Sequence, residues 1–407
     1  MITGKRKRAW LLAAAIVIAI TASNHLRADT GTCGGASVTL PFTDVSASNV
    51  FFCSIAEAYF SGLTNGTSPT TYSPSSPVPR EQMAAFVTRT LDQSIHRGSR
   101  RAALGQWWTQ SGLVNGSLIP IGVLPQFVAC DGEDLWVTNT GSNNLMRVHA
   151  SDANFIGTYT NVPTPEGIIV ANGRVLVASY QSPGKLYLIQ LNDPPGPAGQ
   201  LGFNLGNNPI GIAYDGYRYW TANYGTDAHT GSLSRILLGQ AVDTYVAGFN
   251  QPNWILFDGS SLWVTDRGDV ALKDVDPATG LVVQSIPLAG SVGYPTFDGE
   301  NVWVPCSSPD QIFVVRAVGP LRGAVIAQLT GNGLNVPFQS GFDGERVLIT
   351  NANSSTVTLW KATDLSPIAV AGIEFPGKTG CSGVCSDGIN FWVTCLQGSG
   401  IGFLARV

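Results

Sequence analysis

The residues best suited to chemistry in this sequence are polar side chains that follow a recurring strand-like tripeptide. In one copy, Trp263-Val264-Thr265 is followed by Asp266 and Arg267. Such groups could together bind a polar ligand, for example a glycan or a peptide. Alternatively, they satisfy backbone groups of their own loops and water in a channel. The predicted ligand-binding residues are Asn139, Asn223, Asp266, Arg267 and Asn351.

Residue types for acid–base or metal chemistry are sparse. Of the four histidines, His149 and His229 lie in the repeated region. Asp227, His229 and Asp266 could bind a cation through oxygen and nitrogen ligands. The sequence has no Gly-rich phosphate loop, no Gly-x-Ser-x-Gly and no metalloprotease motif. We therefore predict no catalytic residue, no cofactor and no metal site, and a non-enzymatic protein is favoured over an enzyme.

Seven copies of a hairpin must position these candidate residues. Each copy begins with Asp-Gly or Asn-Gly between apolar runs, a strong hairpin signal because such turns need residues that tolerate positive φ. The copies start 40 to 45 residues apart, which is the length of one propeller blade. The seven turns are Asp131-Gly132, Asn172-Gly173, Asp215-Gly216, Asp258-Gly259, Asp298-Gly299, Asp343-Gly344 and Asp387-Gly388.

Each copy supplies four strands. A tryptophan such as Trp263 follows the turn by five residues in most copies and is predicted to pack between strands, and further strands follow, such as Val282–Ile286. The last copy ends at its third strand, whereas residues 117–123 form an unassigned strand-like run. Since an open ring would expose a sheet edge, we predict that residues 117–123 pair with Ile401–Arg406. The fold class is then an all-β, seven-bladed propeller with four-stranded antiparallel blades over residues 117–407.

The repeats carry a family resemblance. Trp136-Val137-Thr138-Asn139, Trp263-Val264-Thr265-Asp266 and their kin across Val123–Val407 resemble the seven-bladed propellers of the YVTN-repeat and streptogramin-lyase-like group. The resemblance implies the fold. The lyase members use a His/Glu-type acid–base arrangement with magnesium, and since no matching His-x-Glu occurs here, no catalytic residue is carried over.

The N-terminus has the pattern of an export signal. Basic Lys5-Arg6-Lys7-Arg8 precedes the apolar run Trp10–Ile20, and cleavage is predicted after Ala28. Residues 1–28 are thus a signal peptide, or else an uncleaved anchor. Cleavage would remove five basic residues and no acid from a chain of 23 Lys and Arg and 27 Asp and Glu. An acidic mature chain disfavours nucleic acid and anionic lipid as partners.

Residues 39–94 predict a small helical module. Apolar spacing indicates helices over Ala47–Gly62 and Arg80–Asp92. Pro41-Phe42-Thr43-Asp44-Val45, the segment Ile55–Tyr59 and Val78-Pro79-Arg80-Glu81 resemble a single S-layer homology repeat. The resemblance implies non-covalent binding of a cell-wall polymer, with Arg80 as the candidate contact. The alternative is that Arg80 is a solvated residue of the first helical turn.

The remaining features are a linker and seven cysteines. Residues 95–116 are basic and then aromatic, and we expect the tryptophans Trp107 and Trp108 to dock on a neighbouring domain. An exported chain permits disulfides. The candidate disulfide cysteines are Cys33 with Cys53, and Cys381 with Cys385, and the spacing of the latter two lacks the second pair that a zinc site would need.

The hypotheses for function follow from this organisation. The favoured one is an exported, extracellular or cell-envelope protein whose propeller binds a cell-wall polymer, a glycan or a protein partner. The alternatives are a lyase- or lactonase-type enzyme acting at the channel mouth, and a purely structural envelope protein. We expect a monomer with no membrane span in the mature chain.

Overall fold

The structure is a computed structural model, and it describes residues 29–33, 36–60, 63–95, 118–150, 152–239, 242–373 and 377–407. The predicted signal segment, residues 1–28, and all but the first residue of the predicted linker, residues 95–116, lie outside these ranges. The chain divides into two compact units, Met1–Gln110 and Ser111–Val407. In the described part of the chain, no helix is both long and apolar enough to cross a membrane.

The N-terminal unit contains a short hairpin and two helices. Strands β1 (Thr30–Cys33) and β2 (Ala36–Thr39) pair antiparallel, and helices α1 (Phe52–Phe60) and α2 (Arg80–Ile95) follow. The first helix begins later than its apolar spacing predicts, because the Asn49 side chain accepts the Phe51 N–H at 2.8 Å and holds a turn before the helix.

A small apolar core lies between the hairpin and the first helix. Phe42, Phe52 and Ile55 are buried there. The Asp44 carboxylate accepts the N–H groups of Tyr72 and Ser73 at 2.8 and 2.7 Å, and so ties the loop before the second helix to the core. The unit is thus organised around a few buried residues.

The second unit is a propeller of seven antiparallel sheets, one for each predicted repeat. Blades 1 to 4 consist of Pro125–Cys130, Asp134–Asn139, Asn144–His149 and Phe155–Tyr159; Pro165–Ala171, Arg174–Ser179, Lys185–Gln190 and Gly199–Gln200; Pro209–Tyr214, Tyr219–Asn223, Gly231–Ile236 and Val242–Phe249; and Pro252–Phe257, Leu262–Asp266, Ala271–Val275 and Val282–Pro287. Blades 5 to 7 consist of Ser291–Val292 with Thr296–Phe297, Asn301–Ser307, Gln311–Arg316 and Val325–Leu329; Pro337–Phe342, Arg346–Asn351, Thr356–Lys361 and Pro367–Gly372; and Lys378–Ser386, Phe391–Gln397, Ile401–Arg406 and Leu118–Val123. The predicted fold class is confirmed.

The first strand of each blade lies at the central axis. First strands of neighbouring blades contact one another around the ring. A Cβ atom on Gly167 would lie 2.0 Å from the Ile210 carbonyl oxygen, and one on Gly211 would lie 2.7 Å from the Trp254 Cα. Glycine is therefore required where these inner strands meet, and the channel between them is narrow.

The ring closes as predicted. Leu118–Val123 pairs antiparallel with Ile401–Arg406, with Ile119 opposite Leu404, and completes blade 7. Both ends of the propeller sequence therefore meet in one sheet. Ile401–Arg406 is paired on both sides, and Leu118–Val123 forms the outer edge of the blade.

The Asp-Gly turns use a different geometry from the one predicted. Gly259 has φ of +99°, whereas Asp258 is not in the left-handed region. The Asp258 carboxylate instead accepts the N–H groups of Ser260 and Ser261, each at 2.7 Å, and closes the turn with its side chain. In blade 2 both Asn172 and Gly173 have positive φ, of 52° and 71°, so the expected turn occurs there.

One of the two predicted disulfides is present, and the other has a different partner. Cys33 is bonded to Cys53. Cys381 is bonded to Cys395 rather than to Cys385, so the predicted second pair is wrong. Cys381 and Cys385 lie four residues apart on one strand, about 13 Å in extended backbone, while Cα atoms more than about 7 Å apart cannot be bridged by a disulfide. Cys395 lies directly opposite Cys381 on the paired strand.

Candidate functional site

The predicted ligand residues at the end of each second strand are buried. Asn139, Asn223, Asp266 and Asn351 have 0 % of their surface exposed. Asn223 donates to Ser232 and Ser234, and Asn351 accepts the Asn335 N–H at 3.1 Å and donates to Thr356. Each therefore has a structural role in holding a loop or an adjacent strand. Their role as ligand contacts stays a prediction, and their burial gives it no support.

Asp266 is the centre of a buried ion pair. Lys273 Nζ lies 2.7 Å from Asp266 Oδ2 and 2.6 Å from Asp269 Oδ2. The backbone N–H of Asn250 also donates to Asp266 Oδ2 at 2.8 Å. Burial lowers the pKa of Lys273, but its bonds to Asp266 and Asp269 outweigh burial and raise it. The lysine ammonium thus occupies the Asp266 oxygen that a bound cation would use. Within the described ranges, no group of three or more His, Cys, Asp or Glu side chains could hold a metal ion.

The residues one position further along the chain reach the surface. Tyr180, Tyr224 and Arg267 follow the buried position in blades 2, 3 and 4, and Tyr180 and Arg267 are exposed. Their backbone N–H groups donate to the carbonyl oxygens of Thr164, Asn208 and Gln251, at 3.0, 2.9 and 3.1 Å respectively. These bonds fix the three side chains at the end of the channel where the inner strands begin.

The acceptor residues are held in an uncommon conformation. Thr164, Asn208 and Gln251 have φ of 40°, 55° and 68°, and each precedes the proline that begins an inner strand. Positive φ is costly for residues other than glycine, and most of all for β-branched threonine. Directly after each proline the pairing register shifts by a β-bulge. A bulge changes the direction in which the neighbouring side chains point. The first residues of these inner strands therefore depart from regular alternation at the channel mouth.

Four aromatic side chains from different blades meet across the axis. Phe127 of blade 1 lies 4.9 Å from Trp254 of blade 4 and 5.1 Å from Tyr294 of blade 5, measured between ring centroids. Phe338 of blade 6 lies 4.7 Å from Tyr294. Blades 1 and 4 are not neighbours in the ring, so these rings meet inside the channel. We call Phe127, Trp254, Tyr294 and Phe338 the aromatic plug.

Glu166 is a half-buried acidic residue at the same end of the channel. It is the second residue of the inner strand of blade 2. Burial raises the pKa of its carboxyl to about 8. Burial raises the pKa of Tyr294 as well, and the nearby Glu166, Tyr224 and Tyr180 raise it further, whereas Arg267 lowers it. Burial, Tyr224 and Glu166 likewise raise the pKa of Tyr180.

We call Glu166, Tyr180, Tyr224 and Arg267 the mouth cluster, because all four lie in the segments where the inner strands of blades 2 to 4 begin. Tyr224 packs against the core cluster that contains Phe127 and Trp254. The cluster combines a carboxyl group, two phenols, a guanidinium and aromatic surface, which suits binding of a polar ligand with an apolar or cationic part.

Of the predicted ligand residues, only Arg267 belongs to the mouth cluster, and Arg80 lies elsewhere. Arg80 is exposed at the first position of the second N-terminal helix. A cleft of about 710 Å³ in that unit is lined by Tyr72, Pro79, Gln82 and Phe86 among others, and Arg80 is not part of the lining. Arg80 therefore lies outside this cleft.

Sequence reasoning missed Glu166, Tyr180 and Tyr224. The available signal was one acid in an apolar inner strand, Pro165-Glu166-Gly167-Ile168. The tyrosines directly follow the position that the repeat alignment singled out. The alignment selected the buried residue of each loop, and the neighbour that follows it is more exposed.

Comparison with known proteins places the fold. No family model matches the chain, and no curated protein matches it. Among solved structures, hydrazine synthase of Kuenenia stuttgartiensis is 16 % identical, with 73 % of this chain and 99 % of that chain covered and a TM-score of 0.58. Streptogramin B lyase is 15 % identical (72 % and 98 % covered, TM-score 0.57), and the Cps50 (Swd1) propeller domain of Myceliophteria thermophila is 13 % identical (72 % and 99 %, 0.56). At identities this low, the structural matches show a shared propeller fold and nothing more.

Proposed function

We propose that this chain is an exported binding protein whose propeller holds a ligand at the mouth cluster. The observation that carries the proposal is the channel mouth, where the inner strand with Glu166 begins beside aromatic rings that meet across the axis. Tyr180, Tyr224 and Arg267 are positioned at the same end by their backbone hydrogen bonds. A concave, mostly apolar site with a few polar groups and a perturbed pKa is the usual character of a binding site. The partner is a glycan, a peptide or a protein presenting such a group.

Export and wall association complete the proposal. The basic and apolar N-terminal segment and the disulfides Cys33–Cys53 and Cys381–Cys395 are consistent with an oxidising compartment. The N-terminal unit, which resembles an S-layer homology repeat in sequence, would attach to wall polymer through the cleft beside Tyr72 and Gln82. In this proposal the N-terminal unit places the protein at the cell envelope and the propeller binds the partner.

The two parts of the proposal have separate experiments. Fractionation of producing cells should recover the chain outside the cytoplasm, and the purified full chain should sediment with isolated cell walls.

Glycan and peptide arrays probed with the full chain should give ligands that Glu166→Gln loses. Glu133→Gln is the matched control, since the Glu133 side chain is 79 % exposed and follows the Asp131-Gly132 turn at the other end of the inner strand. Array binding that Glu166→Gln leaves unchanged would refute the mouth cluster as the site.

One observation favours an enzyme as the second candidate. A carboxyl with a pKa near 8 can exchange protons with a substrate at neutral pH. An enzyme of the lyase or lactonase type would use Glu166 in this way at the channel mouth. Turnover of a lactone or cyclic ester panel that Glu166→Gln abolishes and Glu133→Gln retains would favour this candidate, and absence of turnover across the panel would count against it.

A further inference from the structure

Three cysteines carry free thiols in the structure: Cys130 and Cys385, which are half-buried, and Cys306, which is fully buried. Cys130 ends the inner strand of blade 1, Pro125–Cys130, and Cys385 is the last residue but one of the inner strand of blade 7, Lys378–Ser386. These two strands contact one another where the ring closes. The two half-buried thiols therefore lie on either side of the seam between the last blade and the first.

Contacts between these two inner strands set their relative position. The Ser382 hydroxyl donates to the Pro125 carbonyl oxygen at 3.2 Å, and a Cβ atom on Gly383 would lie 2.8 Å from the Phe127 Cα. Both strands run in the same direction from these contacts. The cysteines lie two residues beyond Gly383 and three residues beyond Phe127, so the offset between them along the strands is about one residue, roughly 3.3 Å.

Side-chain packing shows which way each thiol points. Cys130 and Cys385 both pack against one apolar cluster, which contains Val128 of blade 1 and Trp392 of blade 7. Val384 packs instead in the cluster between blades 6 and 7. Since successive side chains of a strand point to opposite faces, Cys385 points toward blade 1. The two thiols thus enter the same interface from opposite sides, which is the arrangement that a disulfide between neighbouring strands needs.

We propose that Cys130 and Cys385 form a disulfide that joins blade 7 to blade 1 in an oxidising compartment, and this inference rests on the export that is part of the proposed function. As the S–S bond forms, the two thiols lose two protons and two electrons. A small disulfide such as oxidised glutathione accepts them and is cleaved to two thiols. Cys306, fully buried in blade 5, is then the unpaired cysteine of the seven.

The bond changes how the ring is closed. Leu118–Val123 closes the propeller by pairing with Ile401–Arg406, which is a non-covalent closure. A bond between residues 130 and 385 encloses nearly the whole propeller sequence in one covalent loop. Long loops restrict the unfolded chain most in the chain-entropy account of disulfide stability. The cross-link therefore stabilises the complete ring rather than a single blade.

The test starts from the full chain, reduced in denaturant and refolded in a glutathione redox buffer, so that burial of the thiols does not limit oxidation. Non-reducing digestion and mass spectrometry then map the bonds, and Cys33–Cys53 and Cys381–Cys395 report the native fold. We expect a third link between the peptides that contain Cys130 and Cys385, with Cys306 as the thiol that is alkylated after unfolding. Native links with Cys130 and Cys385 both alkylated, or each joined to glutathione, would overturn the proposal.

A chain that does not refold is produced in the bacterial periplasm instead, where oxidation accompanies folding. The same mapping is then made on the purified protein, with the same expected and contradicting results. Cys306→Ala is the control for the count of thiols, because a protein with three disulfides and this substitution has no thiol left to alkylate.

Three variants connect the bond to stability. In the oxidised protein, Cys130→Ser, Cys385→Ser and the double variant should each lower the midpoint of thermal unfolding by a similar amount, roughly 5 °C or more, since each removes the same bond. Losses from the two single variants that add up in the double variant would show two independent thiols and contradict the cross-link.

The outcomes separate this inference from the proposed function. If the refolded chain forms the link but the protein lies in the cytoplasm of producing cells with both thiols free, the proposed export fails and the cross-link stands as a property of the folded chain. If exported protein carries Cys130 and Cys385 as thiols, this inference fails and the export stands. A cytoplasmic protein that also forms no third link on refolding would contradict both.

Discussion

Trp263 donates its indole N–H to the carboxylate of Asp258 at 2.7 Å, across the first hairpin of blade 4. The other carboxylate oxygen of Asp258 closes the turn by accepting two backbone N–H groups. One side chain thus forms the turn and satisfies the buried indole. The same bond joins Trp136 to Asp131, Trp220 to Asp215, Trp303 to Asp298 and Trp392 to Asp387.

The blades without this tryptophan show why the turn residue is an acid. In blade 6, Leu348 replaces the tryptophan, and Asp343 accepts from the Arg346 guanidinium at 2.9 Å instead. In blade 2, Leu176 replaces it and the turn residue is Asn172. An amide has one acceptor oxygen where a carboxylate has two. Aspartate is therefore needed where both the turn and a buried donor must be satisfied.

The first prediction concerns this bond. Asp258→Ala should lower the free energy of unfolding by about 2–4 kcal/mol, because the Trp263 N–H and the turn amides lose their acceptor. Trp263→Phe keeps a ring in the core and removes the N–H donor. In a protein that already carries Trp263→Phe, Asp258→Ala should therefore lower the free energy of unfolding by about 1 kcal/mol less than in the parent. Thermal and denaturant unfolding of the four proteins checks the cycle. Equal costs in both backgrounds would show that the indole bond contributes nothing.

The second prediction concerns the buried pair of Lys273 and Asp266. Lys273→Met should destabilise the propeller by about 3–5 kcal/mol, because it leaves a fully buried carboxylate without its cation. Lys361→Met is the matched control, since Lys361 and Asp364 form an exposed pair at 3.4 Å, and its cost should be below about 1 kcal/mol. The comparison is made by the midpoint of thermal unfolding. Equal effects of the two substitutions would contradict the structural role of Asp266.

The third prediction concerns the cysteines. Non-reducing digestion and mass spectrometry should find Cys33–Cys53 and Cys381–Cys395 as linked peptides. Cys385→Ser should leave both links intact, whereas Cys381→Ser should destabilise the last blade by about 3 kcal/mol. A peptide joining Cys381 to Cys385 would contradict the strand register around Cys395.

The fourth prediction concerns the pH dependence of stability. Glu166 has a folded pKa of about 8 against an ordinary value of 4.5. Between these values the folded protein binds the extra proton, so the free energy of unfolding falls as pH rises. Glu166→Gln removes this penalty, and its midpoint should exceed that of the parent by about 3 °C or more near pH 9 and by little near pH 4.

A control distinguishes this effect from a general change of charge. Glu133→Gln removes an acid with 79 % side-chain exposure, whose Oε1 lies 3.7 Å from His149 Nε2. An exposed pair of this kind contributes at most about 1 kcal/mol, so the midpoint should stay close to that of the parent from pH 4 to pH 9. If the midpoint of Glu166→Gln also follows that of the parent from pH 4 to pH 9, the carboxyl is solvated in the folded protein and the raised pKa of Glu166 is wrong.

Much of the fold could be predicted from the sequence because it repeats. Asp258-Gly259 and Trp263 recur at blade spacing, and the missing last strand required Leu118–Val123 to return to Ile401–Arg406. A repeated pattern predicts both the hairpin of each copy and the number of blades, and neither prediction needs more than one sequence. The pairing of Cys381 was misjudged because spacing along the chain does not show which strand lies opposite.

The site was harder to predict for a physical reason. Asp266 has the residue type of a ligand contact, and Lys273, seven residues later, uses it internally. Glu166 has an unremarkable sequence context, and only ring closure places it at the same end of the channel as Tyr180 and Arg267. Such contacts depend on ring closure and on the bulges at the channel mouth.

The most direct test of the account compares the full chain with Glu166→Gln and Glu133→Gln on glycan and peptide arrays. The account predicts ligands that the parent and Glu133→Gln bind and that Glu166→Gln loses. Ligands that all three proteins bind equally well would contradict it.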